Sequence, residues 1–491
     1  MHSPYAVILA LVTVFCASFK GAYDLWSSLV YTLVVLATLS FWFLRSAWRS
    51  ETIPISPWVP VGIGGLGLAA SLVSPIIPAE SWTIYPSWVA ALLVFPIAVY
   101  AFERDDAFDS FLRFLVPFFW VQAAFVLREQ VIGGFIDQSP GLLYDANASA
   151  AFHVAWIPVL ADKVIRSKQS PYWTIGLIAA VAGFAGAQSV WGWIALSATL
   201  PWFFPQRFGR KEKSAVALIV CVLALWKFSA SSDRFGWWMA GLRMFADHPF
   251  AGVGLGGYPG AFLAYRVGDG LNTTSPHSVV IQLLAETGIF GFGAICWMGA
   301  VLFKGRKPLP ESRRGMALGA GALLLFSLVS VCFEIPVNLL TLSILMGAVC
   351  SGHAVRSAIP RKAVAVAVVV MAIAITPFLL APLQASRLIV SGKAALQVGD
   401  SETAGRLFEN ASSLDSRSFE ARRWEARAAF AVEGAEEAVA LQREAIGLNP
   451  LNGVLWMELG TYLSDTGYAA EAKAADERAV LLSSGLLPPR R

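Results

Sequence analysis

Apolar runs of about 20 residues, each long enough to cross a bilayer, recur along the first four-fifths of this chain. They fall near 5–19, 25–44, 58–77, 85–102, 108–127, 147–165, 172–188, 190–205, 214–230, 278–303, 315–333, 337–355 and 363–383. Hydrophobic residues make up 56% of the 491 and charged residues only 14%, where soluble domains carry about 25% charge. The expected fold class is all-α, a polytopic helical membrane protein with about 13 spans. The first run has no basic leader and no clear small-residue cleavage site, so it reads as a retained helix. Cys16, Cys221, Cys296, Cys332 and Cys350 lie within these runs without CxxC spacing. They read as small apolar residues rather than as disulfides or zinc ligands.

Orientation follows from the basic residues between alternate runs. One set of connections holds Arg45, Arg49, Arg104, Lys163, Arg166, Lys168, Arg207, Arg210, Lys211, Lys213, Lys304, Arg306, Lys307, Arg313, Arg314, Arg356, Arg361 and Lys362. The other holds Lys20, Arg128, Arg234, Arg243 and Arg266, although it contains the longest loop. A cytoplasmic N-terminus is expected, with the 231–277 loop and the C-terminal region outside. The net charge of +4 is then a topology signal and not a nucleic-acid footprint.

Beyond Pro382 the composition turns to Ala, Glu and Arg with helical periodicity, dividing the chain into a membrane core at 1–383 and a second domain at 384–491. A 34-residue period aligns Ala404 with Ala438 and Ala472, Ala411 with Ala445 and Ala479, and Gly392 with Ala426 and Gly460. That is the tetratricopeptide period, and Trp456, Leu459, Gly460, Leu463 and Ala472 stand at its spacing. A short α-solenoid is expected, with a concave face suited to a protein segment.

The 231–291 segment carries the polar features. Arg234 precedes Trp237 and Trp238 on an expected amphipathic helix at the membrane surface, a depth Trp favours. Asp247-His248-Pro249 breaks it. Gly252, Gly254, Gly256 and Gly257 supply backbone N–H groups able to approach an anion. His277 stands at the mouth of the next run, and Glu286 lies nine residues deeper on the opposite face. Each feature alone has a plainer reading as a turn, an anchor, a cap or a buried hydrogen bond.

Taken in order, Arg234, Trp237, Asp247-His248-Pro249, Gly252, Gly254, Gly256, His277, Gln282, Glu286, Gly288 and Gly291 resemble the signature region of the O-antigen ligase and O-antigen polymerase superfamily. Asp145-Ala146-Asn147-Ala148 is similar to the family's Asn-x-Asn-x-x-Ala helix start, and the resemblance covers roughly 140–355. Two departures stand out. Val190 replaces the arginine of the family's Ser-Arg-Gly, and Ser278 follows His277 where the family has Asn.

The resemblance implies a metal-independent glycosyltransferase of the bacterial inner membrane, with a core related to the GT-C class and no cofactor. It would move a glycan from an undecaprenyl-diphosphate carrier to a glycan, lipid or protein acceptor at the periplasmic face. On that reading Arg234 and His277 are catalytic, as diphosphate binder and general base. Arg266, Arg128, Trp237, Gly254, Gly256 and Glu286 would contact substrate. A protein O-oligosaccharyltransferase of the same superfamily is the near alternative. A transporter or an assembly scaffold without catalysis is the distant one, and the polar residues clustered at one face argue against the transporter. Periplasmic proteins and membrane lipids are the expected partners besides substrate, and nucleic acid is not one.

A reporter active only outside the cytoplasm is expected to work when fused at Gly270 or after Arg491, and to stay silent near Arg210 or Arg306. Activity at Arg210 would reverse the orientation.

Overall fold

The computed structural model describes residues 3–49, 52–54, 56–73, 75–135, 137–167, 170–203, 209–229, 233–267, 272–303, 309–330, 332–351, 356–357 and 361–484. Lys168, Arg207, Lys304, Arg306 and Lys307 of the basic connections, and the fusion points Gly270 and Arg491, lie outside the described residues. The helices of the first part are α1 (Pro4–Ser18), α2 (Leu25–Trp48), α3 (Trp58–Ala70), α4 (Pro78–Ala101), α5 (Asp105–Ile132), α6 (Ala146–Arg166), α7 (Pro171–Gly186), α8 (Val190–Phe203) and α9 (Arg210–Ser229). Then come α10 (Asp233–Asp247), α11 (Tyr258–Tyr265), α12 (Val279–Phe303), α13 (Arg314–Ser327), α14 (Pro336–Cys350) and α15 (Arg361–Gln397). The remainder is α16 (Ser401–Leu414), α17 (Phe419–Val432), α18 (Ala435–Leu448), α19 (Gly453–Asp465) and α20 (Ala469–Ser484). Among the described residues the only β pairing is Ile53–Pro54 against Arg356–Ser357, two residues long.

Every apolar run carries a helix. By length and composition α2, α4, α5, α6, α12 and α15 can each cross a membrane, whereas α1, α3, α7 and α14 are shorter apolar helices. Proline opens α1, α4, α7 and α14, where its missing N–H is not needed. Asp145 caps α6, its carboxylate accepting the Ala148 N–H at 2.7 Å.

Between helices, small residues set the contacts, as expected where lipid supplies no hydrophobic drive for helices to associate. A methyl group at Gly319 of α13 would lie 2.2 Å from the Ala155 carbonyl oxygen of α6, and one at Gly347 of α14 would lie 2.5 Å from Ala98 of α4. Asn338 of α14 donates to the carbonyls of Ala148 and Cys332 at 3.3 and 3.1 Å, fixing α14 against the start of α6.

The connections sort onto two faces. At one, Lys20 N–H bonds the Leu142 carbonyl, Tyr23 lies against Tyr144, and Ile76 N–H bonds the Val253 carbonyl. At the other, Lys163 pairs with Asp109, Arg166 donates to the Glu311 carbonyl, and Arg313 donates to that of Ser351. Lys163, Arg166 and Arg313 of the basic connections meet at this second face.

The boundary at 383/384 is not a linker. It falls inside α15, whose C-terminal part continues from the apolar stretch and packs Ala385 and Ile389 against Phe408 and Ala411 of α16. Beyond it, α16, α18 and α20 begin at Ser401, Ala435 and Ala469, at the 34-residue interval, and α17 and α19 repeat it from Phe419 to Gly453. Each of α17 and α19 packs on the helix that follows it. The array folds back onto the membrane part, where Leu451, Trp456 and Leu482 join a core with Met244, Tyr258 and Phe262.

Gly319→Leu is expected to lower the thermal midpoint in detergent, overpacking costing about 1–3 kcal/mol. Gly321→Leu in the same helix, where a methyl meets nothing within 4 Å, should stay within about 0.5 kcal/mol of the parent.

Candidate functional site

The site is built on a break in α12. Gly288 sits at φ 60° and ψ −161° inside that helix, so backbone groups on either side lose their helical partners. The loop after α10 takes them up. Val253 N–H bonds the Ala285 carbonyl at 2.8 Å, Gly254 N–H that of Glu286 at 3.1 Å, and Ile289 N–H that of Pro249 at 2.8 Å. Such pairing needs a chain reversed with positive φ, which Gly252, Gly254 and Gly256 supply at 70°, 101° and 74°. A methyl at Gly252 would lie 2.3 Å from the Glu286 carbonyl carbon, so only glycine fits.

This loop does embrace an anion, and the anion belongs to the protein. The Glu286 carboxylate, 1% exposed, accepts the backbone N–H groups of Gly256 and Tyr258, the latter at 3.2 Å, with Gln282 Nε2 3.5 Å from its other oxygen. The N–H groups of Gly254 and Gly256 therefore close on α12 and do not face open space. The sequence shows the glycines but not the carboxylate that meets them, because the two are about 30 residues apart.

Tyr258, fully buried, carries the geometry onward: its hydroxyl donates to the Trp237 carbonyl of α10 at 2.8 Å. The Trp237 ring lies against the His277 imidazole, centroids 4.9 Å apart at 34°. His277 has φ 50° and a buried Nδ1 with no hydrogen-bond partner among the described residues. Burial first, and the charge of Arg234 second, hold its pKa down at about 4. Arg234, in the first turn of α10, lies with its guanidinium 5.4 Å from the Trp191 ring centroid and donates to the Val329 carbonyl. Burial lowers its pKa from the usual arginine range, and among the described residues no carboxylate pairs with it.

Arg266 ends α11 beside this group. Its Nη1 donates to Asn272 Oδ1 at 3.2 Å, its Nε is buried without a partner, and the neighbouring Val267 carbonyl reaches Gly236 of α10. Arg128 is not gathered in. It is exposed on α5, and none of the contacts of Arg234, Trp237, Arg266 or His277 described above involves it. Trp191, Tyr258 and Glu334 were not singled out from the sequence. Glu334, which accepts Gln282 Nε2 at 2.6 Å, could have been, since a lone carboxylate between two apolar runs is costly and often functional.

Residues 175–296 match the family model described as O-antigen ligase. No curated protein matches the chain. The matched O-antigen ligase segment contains Trp191, Arg234, Trp237, the glycine loop, Arg266, His277 and Glu286, while Arg128 and Glu334 lie outside it.

Glu286→Ala orphans two buried N–H groups, each costing about 1–3 kcal/mol, so it should destabilise the protein by about 2–4 kcal/mol. Glu286→Gln, which keeps an accepting oxygen, should lose less when thermal unfolding of both is followed in detergent.

Proposed function

We propose that the chain transfers a glycan from an undecaprenyl-diphosphate carrier to an acceptor hydroxyl at the periplasmic face of the bacterial inner membrane. Its membrane core would be of the GT-C type, and its repeat helices a periplasmic tetratricopeptide array. The observation that carries this reading is the juxtaposition of Arg234, which no carboxylate pairs among the described residues, with a neutral His277 whose Nδ1 has no partner among them. In the proposed step the acceptor oxygen attacks the anomeric carbon, and the bond from that carbon to the diphosphate oxygen breaks. The electron pair leaves on the diphosphate, where Arg234 stabilises it through directed hydrogen bonds, with Arg266 as a second cation. The acceptor proton passes to His277.

The low pKa of His277 suits a base that must be empty before the reaction. A bound diphosphate brings negative charge close by and favours the protonated form, so the proton is held better once the donor is in place. Trp237 keeps the imidazole in register. The N–H groups of Gly254 and Gly256 are closed on α12, so they hold the site together and do not touch the donor.

Arg234→Lys is expected to lose most of the activity, since a lysine keeps the charge but not the two-pronged geometry. His277→Ala should bind donor nearly normally and turn over about 10²–10⁴-fold more slowly. Both are measured as transfer from an undecaprenyl-diphosphate glycan by monodisperse protein. The acid limb of kcat/KM should lie near the His277 value of about 4, and Arg234→Gln, which removes a cation disfavouring imidazolium, should move it upward. Transfer should persist in excess EDTA. Full turnover by His277→Ala would remove that residue from the mechanism.

A further inference from the structure

Along the 274–286 stretch lies a cavity of about 350 Å³, within the range of small-molecule sites. Its wall is unlike the Arg234 side. Glu80, Glu286, Glu334 and Gln282 line it together with Tyr23 and Trp88, and among the described residues no lysine or arginine does. The Glu80 carboxylate has no hydrogen-bond donor among the described residues, and Glu334 has Gln282 on one oxygen only. These oxygens are left to whatever fills the space. A diphosphate fits this wall poorly, because among the described residues it offers carboxyl groups and no cation. A metal is not called for, as no group of three His, Cys, Asp or Glu among the described residues is placed to hold one.

We propose that this cavity binds a sugar ring of the acceptor, its hydroxyls donating to Glu80, Glu334 and Gln282 and its C–H face packing on the rings of Tyr23 and Trp88. This rests on the transferase reading above and assigns the acceptor end of the same site. An ionised carboxylate at Glu80 is an acceptor-only group for hydroxyl donors, and charge-assisted bonds of that kind are the strong ones. Burial, with the neighbouring Glu286, pushes the Glu334 carboxyl up to about 8. It is then mostly protonated at neutral pH, which lessens any call for a cation and adds a donor for a ring oxygen. Thr274, three residues before His277 in the chain, also lines the cavity. The repeat array lies over the same region: Arg417, just before α17, places its guanidinium 5.2 Å from the Trp82 ring on α4.

The test uses the full chain in lipid nanodiscs and saturation-transfer NMR with glucose, N-acetylglucosamine and glucosamine as probes. At least one neutral sugar is expected to bind, about 10-fold more weakly to Glu80→Gln and Glu334→Gln, and equally well in the presence of farnesyl diphosphate. Should Glu334→Gln fail to purify, Glu80→Gln at its exposed position decides alone. Competition by farnesyl diphosphate, binding of glucosamine only, or wild-type affinity in the variants would each overturn the proposal, as would no binding at all. Arg234→Lys separates the two readings. Loss of donor transfer with sugar binding intact supports both, and absence of transfer by the parent protein beside intact sugar binding sinks the transferase reading alone.

Discussion

The kink of α12 at Gly288 is the constraint on which the rest of the site depends. An unbroken helix there would satisfy its own backbone, and the glycine loop would have nothing to pair with. Broken, it presents the Ala285 and Glu286 carbonyls on one side and the Ile289 and Phe290 N–H groups on the other, and the 249–254 chain bonds all four. The Glu286 carboxylate then closes the loop from within. A buried carboxylate is costly unless several donors meet it, and here two backbone N–H groups and an amide do. From that knot Tyr258 reaches Trp237, and Trp237 reaches His277. Arg234 and His277 therefore owe their relation to a carboxylate that neither touches.

Charge is divided by the same knot. Arg234, Arg266 and His277 stand on one side with no carboxylate paired to Arg234 among the described residues, and Glu80, Glu286 and Glu334 face the cavity with no cation in its lining. Opposite charges left unpaired at short range carry an electrostatic penalty that pairing would relieve. In the proposed reaction the division has a use, since the leaving group is an anion and the incoming group is a neutral alcohol.

Much of this was legible in the sequence, and the limits have physical causes. Long apolar runs must become helices in lipid, so each of them carries one, and the 34-residue period foretold the spacing of α16, α18 and α20. Short α1, α3, α7 and α14 show why composition alone does not fix a count of spans. The Arg234, Trp237 and His277 cluster could be named from its order along the chain. Its partners could not, because Trp191 and Val329 come from elsewhere in the chain and meet it only through the packing of α8 and α13. The anion for the glycine loop was sought among substrates, since a local pattern of glycines records what backbone can approach but not what approaches it.

The repeat array is joined to the membrane part by an uninterrupted helix and by a second, distant contact. The α15 helix runs from the apolar stretch directly into the packing of α16, with no flexible residues to decouple the two. At the far end Leu451, Trp456 and Leu482 lie in one core with Met244, Tyr258 and Phe262. Tyr258 is also the residue that links Glu286 to Trp237. An array tethered by α15 alone could swing without consequence for the chemistry. Held at both ends, the array shares one buried core with the Tyr258 ring.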